Sequence, residues 1–299
     1  MSLTAEQSFY SDSELLAMRE AVNLRLDCLL PLSGDRVSAA MREGTLTPGK
    51  RIRPLLLLLV ARDMGCQQAH TGLLDLACSV EMIHAASLML DDIPCMDNAQ
   101  TRRGRQTVHL QFGQDVAILA AVALLTKAFG TVASAEGLSA GCRAEAVAEL
   151  SAAVGLQGLV QGQYQDLSEG ASQRSGEAIT RTNDLKTSVL FEAALQLAAL
   201  AADASPAVSQ QLRHIARELG QAFQLLDDLS DCHDGTGKDI NQDAGKSTLV
   251  ALLGVEEVHQ RLRKHLENAD HYFEGVCHHG QATRHFMHSW FNQQLAAFR

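Results

Sequence analysis

The chain has 299 residues, 46% hydrophobic, 4% aromatic and 20% charged, and 35 acidic against 25 basic side chains give a formal charge of -10. That apolar fraction can bury a large core and excludes wholesale disorder. The acidic balance argues against non-specific nucleic-acid binding, which needs a basic face. Few aromatics, five prolines and abundant Ala and Leu disfavour a β-sandwich or barrel and favour helices.

In chain order, helical periodicity predicts helices over about 12–31, 35–43, 50–65, 69–93, 106–135, 141–167, 175–202 and 205–232, with two or more between 248 and 299. Start signals fit: Ser11 and Asp12, Ser175 before Glu177, and Ser205-Pro206. Breakers fall at Thr47-Pro48-Gly49 and Asp234-Gly235-Thr236-Gly237. The apolar run Leu55–Val60 is too short to cross a bilayer. Val116–Ala135 carries Lys127 and two Thr, so it reads as a buried helix rather than a membrane span. No linker or repeat divides the chain, which predicts one all-α domain over 1–299, a helical bundle around a central cavity. Cys28, Cys66, Cys78, Cys95, Cys142, Cys232 and Cys277 are odd in number and form no C-x-x-C pair, as expected of reduced thiols. The N-terminus has neither a basic n-region nor an apolar h-region, so no signal peptide is expected and the reading is cytoplasmic.

Two aspartate clusters carry the chemistry. In LLDDLSD, Asp227 and Asp231 are four residues apart and share a helix face, with Asp228 beside them and Gln224 bordering. Like charges at that spacing repel, so a cation is wanted between them, and Leu225, Leu226 and Leu229 place the helix in a core rather than in solvent. In LMLDDIPCMDN, Asp91 and Asp97 are too far apart to align on a regular helix. Pro94 disfavours helical geometry before it, so the chain can bend and return Asp97 toward Asp91. Carboxylates from two facing helices, without clustered Cys or His, suit Mg²⁺, which keeps waters and bridges carboxylates to a substrate phosphate.

Six basic residues crowd two short windows: Lys50, Arg51 and Arg53 in GKRIRP, and Arg102, Arg103 and Arg105 in RRGR. Surface ion pairing is one account of them. Gripping of phosphate oxygens fits better, with Lys186, Thr187, Lys238 and Lys246 as further donors. A metal-bridged carboxylate cage ringed by Arg and Lys inside an apolar bundle implies a diphosphate on a greasy substrate. Apolar walls would exclude water and protect a carbocation.

These residues resemble the trans-isoprenyl diphosphate synthases. DDIPCMD is similar to the family's first aspartate-rich motif and FQLLDDLSD to its second. GKRIRP, the RRG after the first motif, GQYQDL, LKT and the GK…GKST loop also match, in order, over about residues 40–255. SLMLDDIPCMDN and the GKSTLV segment most resemble bacterial members that make geranylgeranyl diphosphate in carotenoid pathways.

The resemblance implies the isoprenoid synthase fold, a homodimer, and three Mg²⁺ per site held by Asp91, Asp92, Asp97, Asp227, Asp228 and Asp231. It implies that Arg102, Lys186 and Lys238, with Thr187 and Gln224 nearby, contact an allylic diphosphate. Lys50, Arg53, His84 and Arg103 would bind isopentenyl diphosphate. The reaction is then ionisation, attack by the isopentenyl double bond and loss of a proton to the released diphosphate. Ala86 and Ser87, five and four residues before Asp91, stand where farnesyl-specific members carry a bulky aromatic, which favours a C20 product over C15. A farnesyl diphosphate synthase and a noncatalytic partner subunit are the alternatives. A terpene cyclase would usually lack the second DDxxD, and a helical lipid-binding protein would not need two acidic cages. One departure is Gln106, where the family commonly has Pro after RRGx, which loosens that loop.

Other features read as structure. His84 is two helical turns before Asp91 on the same face, a core position that the resemblance makes a binding one. Cys277, His279, His285 and His288 fit no strong zinc spacing. Gly245–Ser247 invites a P-loop reading, which fails because Ile240 stands where its first Gly would be. Residues after about 255 resemble the family weakly and carry no assigned site.

Overall fold

A computed structural model describes residues 12–32, 34–66, 71–169, 172–231 and 248–296. Within them the chain forms α1 (Asp12–Leu29), α2 (Arg36–Leu46), α3 (Ile52–Asp63), α4 (Thr71–Asp91), a hairpin of β1 (Thr101–Arg102) and β2 (Arg105–Gln106), α5 (Val108–Phe112) and α6 (Gln114–Ala133). There follow α7 (Ala140–Val154), α8 (Leu159–Glu169), α9 (Gly176–Asn183), a π-helical turn (Asp184–Ser188), α10 (Val189–Ala201), α11 (Pro206–Asp231), α12 (Leu249–Leu253), α13 (Val255–Glu274) and α14 (Ala282–Ala296). The architecture is the expected all-α bundle.

Three long predicted helices are in fact broken. The stretch 106–135 begins as a strand and splits into α5 and α6 at Gly113, whose φ of 98° an ordinary side chain resists. The stretch 141–167 is interrupted between α7 and α8, where a Cβ at position 158 would lie 2.0 Å from the Ala153 carbonyl. The stretch 175–202 contains the π-helical turn.

α10 forms the centre of the bundle, contacting α3, α4, α7 and α11. Phe191, Ala194, Leu195, Leu197 and Ala198 on it are fully buried, and small alanines let neighbouring helices approach closely. α4 packs on α3 and α6 and carries the first aspartate motif at its C-terminal end. α11 packs on α10, α13 and the π-helical turn and carries the second at its own C-terminal end. By length and composition alone α4 and α6 could cross a membrane. α4 is mostly buried in the protein, whereas α6 leaves Ile118, Leu119 and Val122 exposed.

Candidate active site

The first aspartate motif bends as Pro94 predicts. α4 stops at Asp91, and the Asp97 amide donates to the Asp91 carbonyl at 2.8 Å, returning Asp97 to the helix end. Asp91 and Asp97 are half-buried, whereas Asp92 is buried and accepts from Arg102 Nε at 3.0 Å and from Nη2 at 2.5 Å. The second motif repeats this division. Asp227 is half-buried, and Asp228 is buried and accepts from Gln224 Nε2 at 2.8 Å. In each pair the first aspartate is half-buried and the second is buried and hydrogen-bonded to a neighbour. Asp231 closes α11, but its side chain lies outside the described residues, as do Lys238 and Lys246.

The two helix ends belong to one electrostatic site. Burial pushes the Asp91 carboxyl up to about 6. Lys186 pulls it back, Asp97 adds to the rise, and Arg102 and Asp92 act more weakly in opposite senses. Burial also raises Asp92 against the pull of Arg102. Asp227, from α11, acts electrostatically on both Arg102 and Arg53, raising each. Among the described residues no three His, Cys, Asp or Glu side chains converge as a preformed metal cage. Hard carboxylate oxygens that cost energy to ionise where they stand still fit Mg²⁺, an ion that completes its shell with water and phosphate.

The hairpin sorts the arginines of RRGR. Arg102 and Arg105 pair across it, and Arg103 and Gly104 form its two-residue turn with φ of 55° and 75°. Arg102 consequently reaches Asp92, and the exposed Arg105 reaches half-buried Glu43 at 3.1 Å. Arg103 lies over Gly49, where a Cβ would sit 2.6 Å from Nη1, and donates to the Thr47 carbonyl at 3.3 Å. Gln106 takes a β2 position opposite Thr101.

GKRIRP is sorted by burial. Arg51, at φ 52°, is buried and donates to Glu81 at 2.5 Å, Asn23 at 2.9 Å and the Thr45 carbonyl at 2.8 Å, so it is a structural cation and not a ligand grip. Lys50 donates to Gln294 Oε1 at 2.6 Å. Arg53 lies over the Phe191 ring at 4.5 Å, its Nε is buried without a partner, and burial lowers it to about 10. His84 is held neutral, well below the usual imidazole range, by burial and then by Arg53, Arg103, Arg102 and Arg51. Four arginines thus act on one imidazole, a concentration of positive charge suited to an anion.

LKT lies in the π-helical turn, which two glycines pinch. A Cβ on Gly162 of α8 would meet the Lys186 amide at 2.5 Å, and one on Gly220 of α11 would meet Ser188 Cα at 2.4 Å. These approaches aim Lys186 at Asp166 Oδ2, 2.7 Å away, and let Thr187 Oγ1 donate to Gln224 Oε1 at 2.7 Å. Asp166 was not singled out from sequence, although GQYQDL contains it. Ala86 is fully buried in the core. Ser87 is half-buried on the face that holds His84 and Asp91 and donates to the His84 carbonyl.

The polyprenyl synthetase family matches residues 35–276. The chain is 60% identical over 278 residues to the geranylgeranyl diphosphate synthase of Pantoea ananas, covering 92% of each chain. It is 55% identical to that of Pseudescherichia vulneris, covering 95% of this chain and 93% of the relative. Its fold is similar to the geranyltransferase of Helicobacter pylori, solved with magnesium and isoprenyl diphosphate, at a TM-score of 0.83 and 27% identity over 97% and 99% of the two chains.

Proposed function

Because this chain belongs to the polyprenyl synthetase family, we infer that it is a prenyltransferase condensing isopentenyl diphosphate with an allylic diphosphate to geranylgeranyl diphosphate. The single observation that supports the site assignment is the hold of Arg102 on Asp92, with Asp227 of the second aspartate motif acting electrostatically on both Arg102 and Arg53. Arg102 and Lys186 hold the allylic diphosphate; Lys50, Arg53 and Arg103 hold isopentenyl diphosphate, and neutral His84 donates a hydrogen bond to it without adding charge. Asp91, Asp97 and Asp227, backed by Asp92, Asp228 and Asp231, would hold Mg²⁺, three ions per site. When bound, Mg²⁺ neutralises the leaving diphosphate and lowers the cost of ionisation. The Thr187–Gln224 pair turns oxygens toward the cationic carbon, and the leaving diphosphate takes the final proton. Leu88 and Leu90, half-buried on α4, keep the tail side apolar.

The proposed assembly is a homodimer. α6 exposes Ile118, Leu119 and Val122, and the α8 region exposes Leu156, Val160 and Tyr164. α6 also packs on α2, α4, α5 and α7, so leaving to cross a bilayer would strip the core. A second copy is the occupant that fits. The described cysteines are unpaired, which supports a cytoplasmic location, and a carotenoid pathway is the proposed destination of the product. Isopentenyl diphosphate and farnesyl diphosphate with Mg²⁺ should give C20 product after dephosphorylation and chromatography, and EDTA should abolish it. A C15 product from geranyl diphosphate with no C20 identifies the farnesyl alternative, and no condensation at all identifies the noncatalytic subunit.

A further inference from the structure

Lys50 and Arg53 stand at the two ends of one aromatic ladder. The Lys50 ammonium lies 5.0 Å from the Trp290 ring centroid. Trp290 stacks on Phe223 at 4.7 Å with 9° between planes, and Phe223 meets Phe191 at 5.2 Å. Arg53 covers Phe191 at 4.5 Å. Phe291, fully buried, stands edge-on to Trp290 at 4.8 Å and to Phe223 at 5.9 Å. Gln294, one helical turn beyond Trp290, accepts from Lys50 at 2.6 Å.

α14 is fastened to α3 at both ends. Asp63, last residue of α3, is buried and accepts from the Thr283 amide and hydroxyl at 2.7 Å each, near the start of α14. Lys50, just before α3, meets Gln294 near the end of α14. The two helices run antiparallel as a splinted pair. α14 lies beyond the residues that the family matches, 35–276.

We propose that α14 is a splint for the isopentenyl diphosphate half-site, with Trp290 and Gln294 as positioning residues that pre-orient Lys50 and, through Phe223 and Phe191, Arg53. The inference rests on the reading of Lys50 and Arg53 as diphosphate grips. A lysine stem has many rotamers to lose on binding. An aromatic face and an amide oxygen restrict that freedom before the phosphate arrives. Phe223, the middle rung of the ladder, immediately precedes Gln224, so the same stack borders the second aspartate motif.

Trp290 is the single tryptophan of the chain, so its emission reports on this ring alone. Titration with isopentenyl diphosphate alone should give a saturable change in that emission, and Lys50→Gln should abolish it. Trp290→Leu should raise the KM for isopentenyl diphosphate about tenfold, with the KM for farnesyl diphosphate changed less than about twofold, and Trp290→Phe should restore most of the loss. Gln294→Ala, outside the aromatic core, should raise the same KM about threefold at unchanged melting temperature, and it decides the matter if Trp290→Leu does not fold. Emission indifferent to isopentenyl diphosphate in an enzyme that turns it over, or equal rises in both KM values in Gln294→Ala, overturns the splint. A wild type that fails to condense the two diphosphates overturns the functional reading instead.

Discussion

The Lys186 ammonium lies 2.7 Å from Oδ2 of Asp166, so a cation assigned to the allylic diphosphate is held by a carboxylate from a different helix. Lys186 also acts electrostatically on Asp91, holding its carboxyl lower than burial alone would. Asp166→Asn keeps the shape but removes the hold, and Lys186 is then free to collapse onto Asp91. The KM for the allylic diphosphate should rise about tenfold while that for isopentenyl diphosphate stays within about twofold. Steady-state kinetics with each substrate varied in turn checks this.

The pinch on the π-helical turn gives a second expectation. A methyl at position 220 would meet Ser188 Cα at 2.4 Å, backbone that cannot swing aside. Gly220→Ala should displace Lys186 and Thr187 together, lowering kcat more than about tenfold and costing about 1–3 kcal/mol of stability. Turnover assays and denaturant melts measure the two effects.

Much of this site was legible in the sequence because its parts are local. The i, i+4 spacing of Asp227 and Asp231 needs only helical geometry, and Pro94 dictates the bend that returns Asp97 to the Asp91 carbonyl. The π-helical turn was not legible, because it depends on Gly162 and Gly220 arriving from two other helices. Arg51 looked like a phosphate ligand because sequence shows its charge but not Glu81, thirty residues on, that occupies it. The break at Gly113 was signalled by the glycine itself, yet the apolar period continues through it and hides the change of direction. The stretch after 255 showed no motif, and the role argued for Trp290 comes from contacts with residues more than sixty positions away.

Asp91 sets a pH dependence. Its folded carboxyl lies at about 6, above the ordinary 3.8, chiefly because it is buried. Between those values the folded chain binds more protons than the unfolded one, so metal-free stability falls as pH rises from about 4 to about 6 and stays lower above. Mg²⁺ with inorganic diphosphate offsets the buried negative charge. The rise in melting temperature that they cause should therefore be larger at about pH 7.5 than at about pH 5. Equal rises at both would contradict the assignment of Asp91 as a ligand.

Product length rests on Ala86 and Ser87. We propose that a prenyl tail anchored near Asp91 runs back along α4, where each turn is about 5.4 Å, close to one isoprene unit. Both side chains are small, and Ser87 shares the cavity face with His84 and Asp91. Ala86→Phe and Ser87→Phe should shift the main product from C20 toward C15 with turnover retained. Product chromatography reads the outcome, and unchanged C20 from both variants would remove these residues from the tail channel.

The central claim is that aspartates from α4 and α11 act on one substrate diphosphate. The direct measurement is kcat/KM for Asp91→Ala, Asp227→Ala and the double variant at saturating Mg²⁺, with circular dichroism confirming an intact helical fold. Residues that act as a unit are strongly non-additive, so each single change should lower kcat/KM at least about a hundredfold and the double variant little further. Either single variant retaining more than about a tenth of wild-type turnover, or losses that simply multiply in the double variant, would contradict the account.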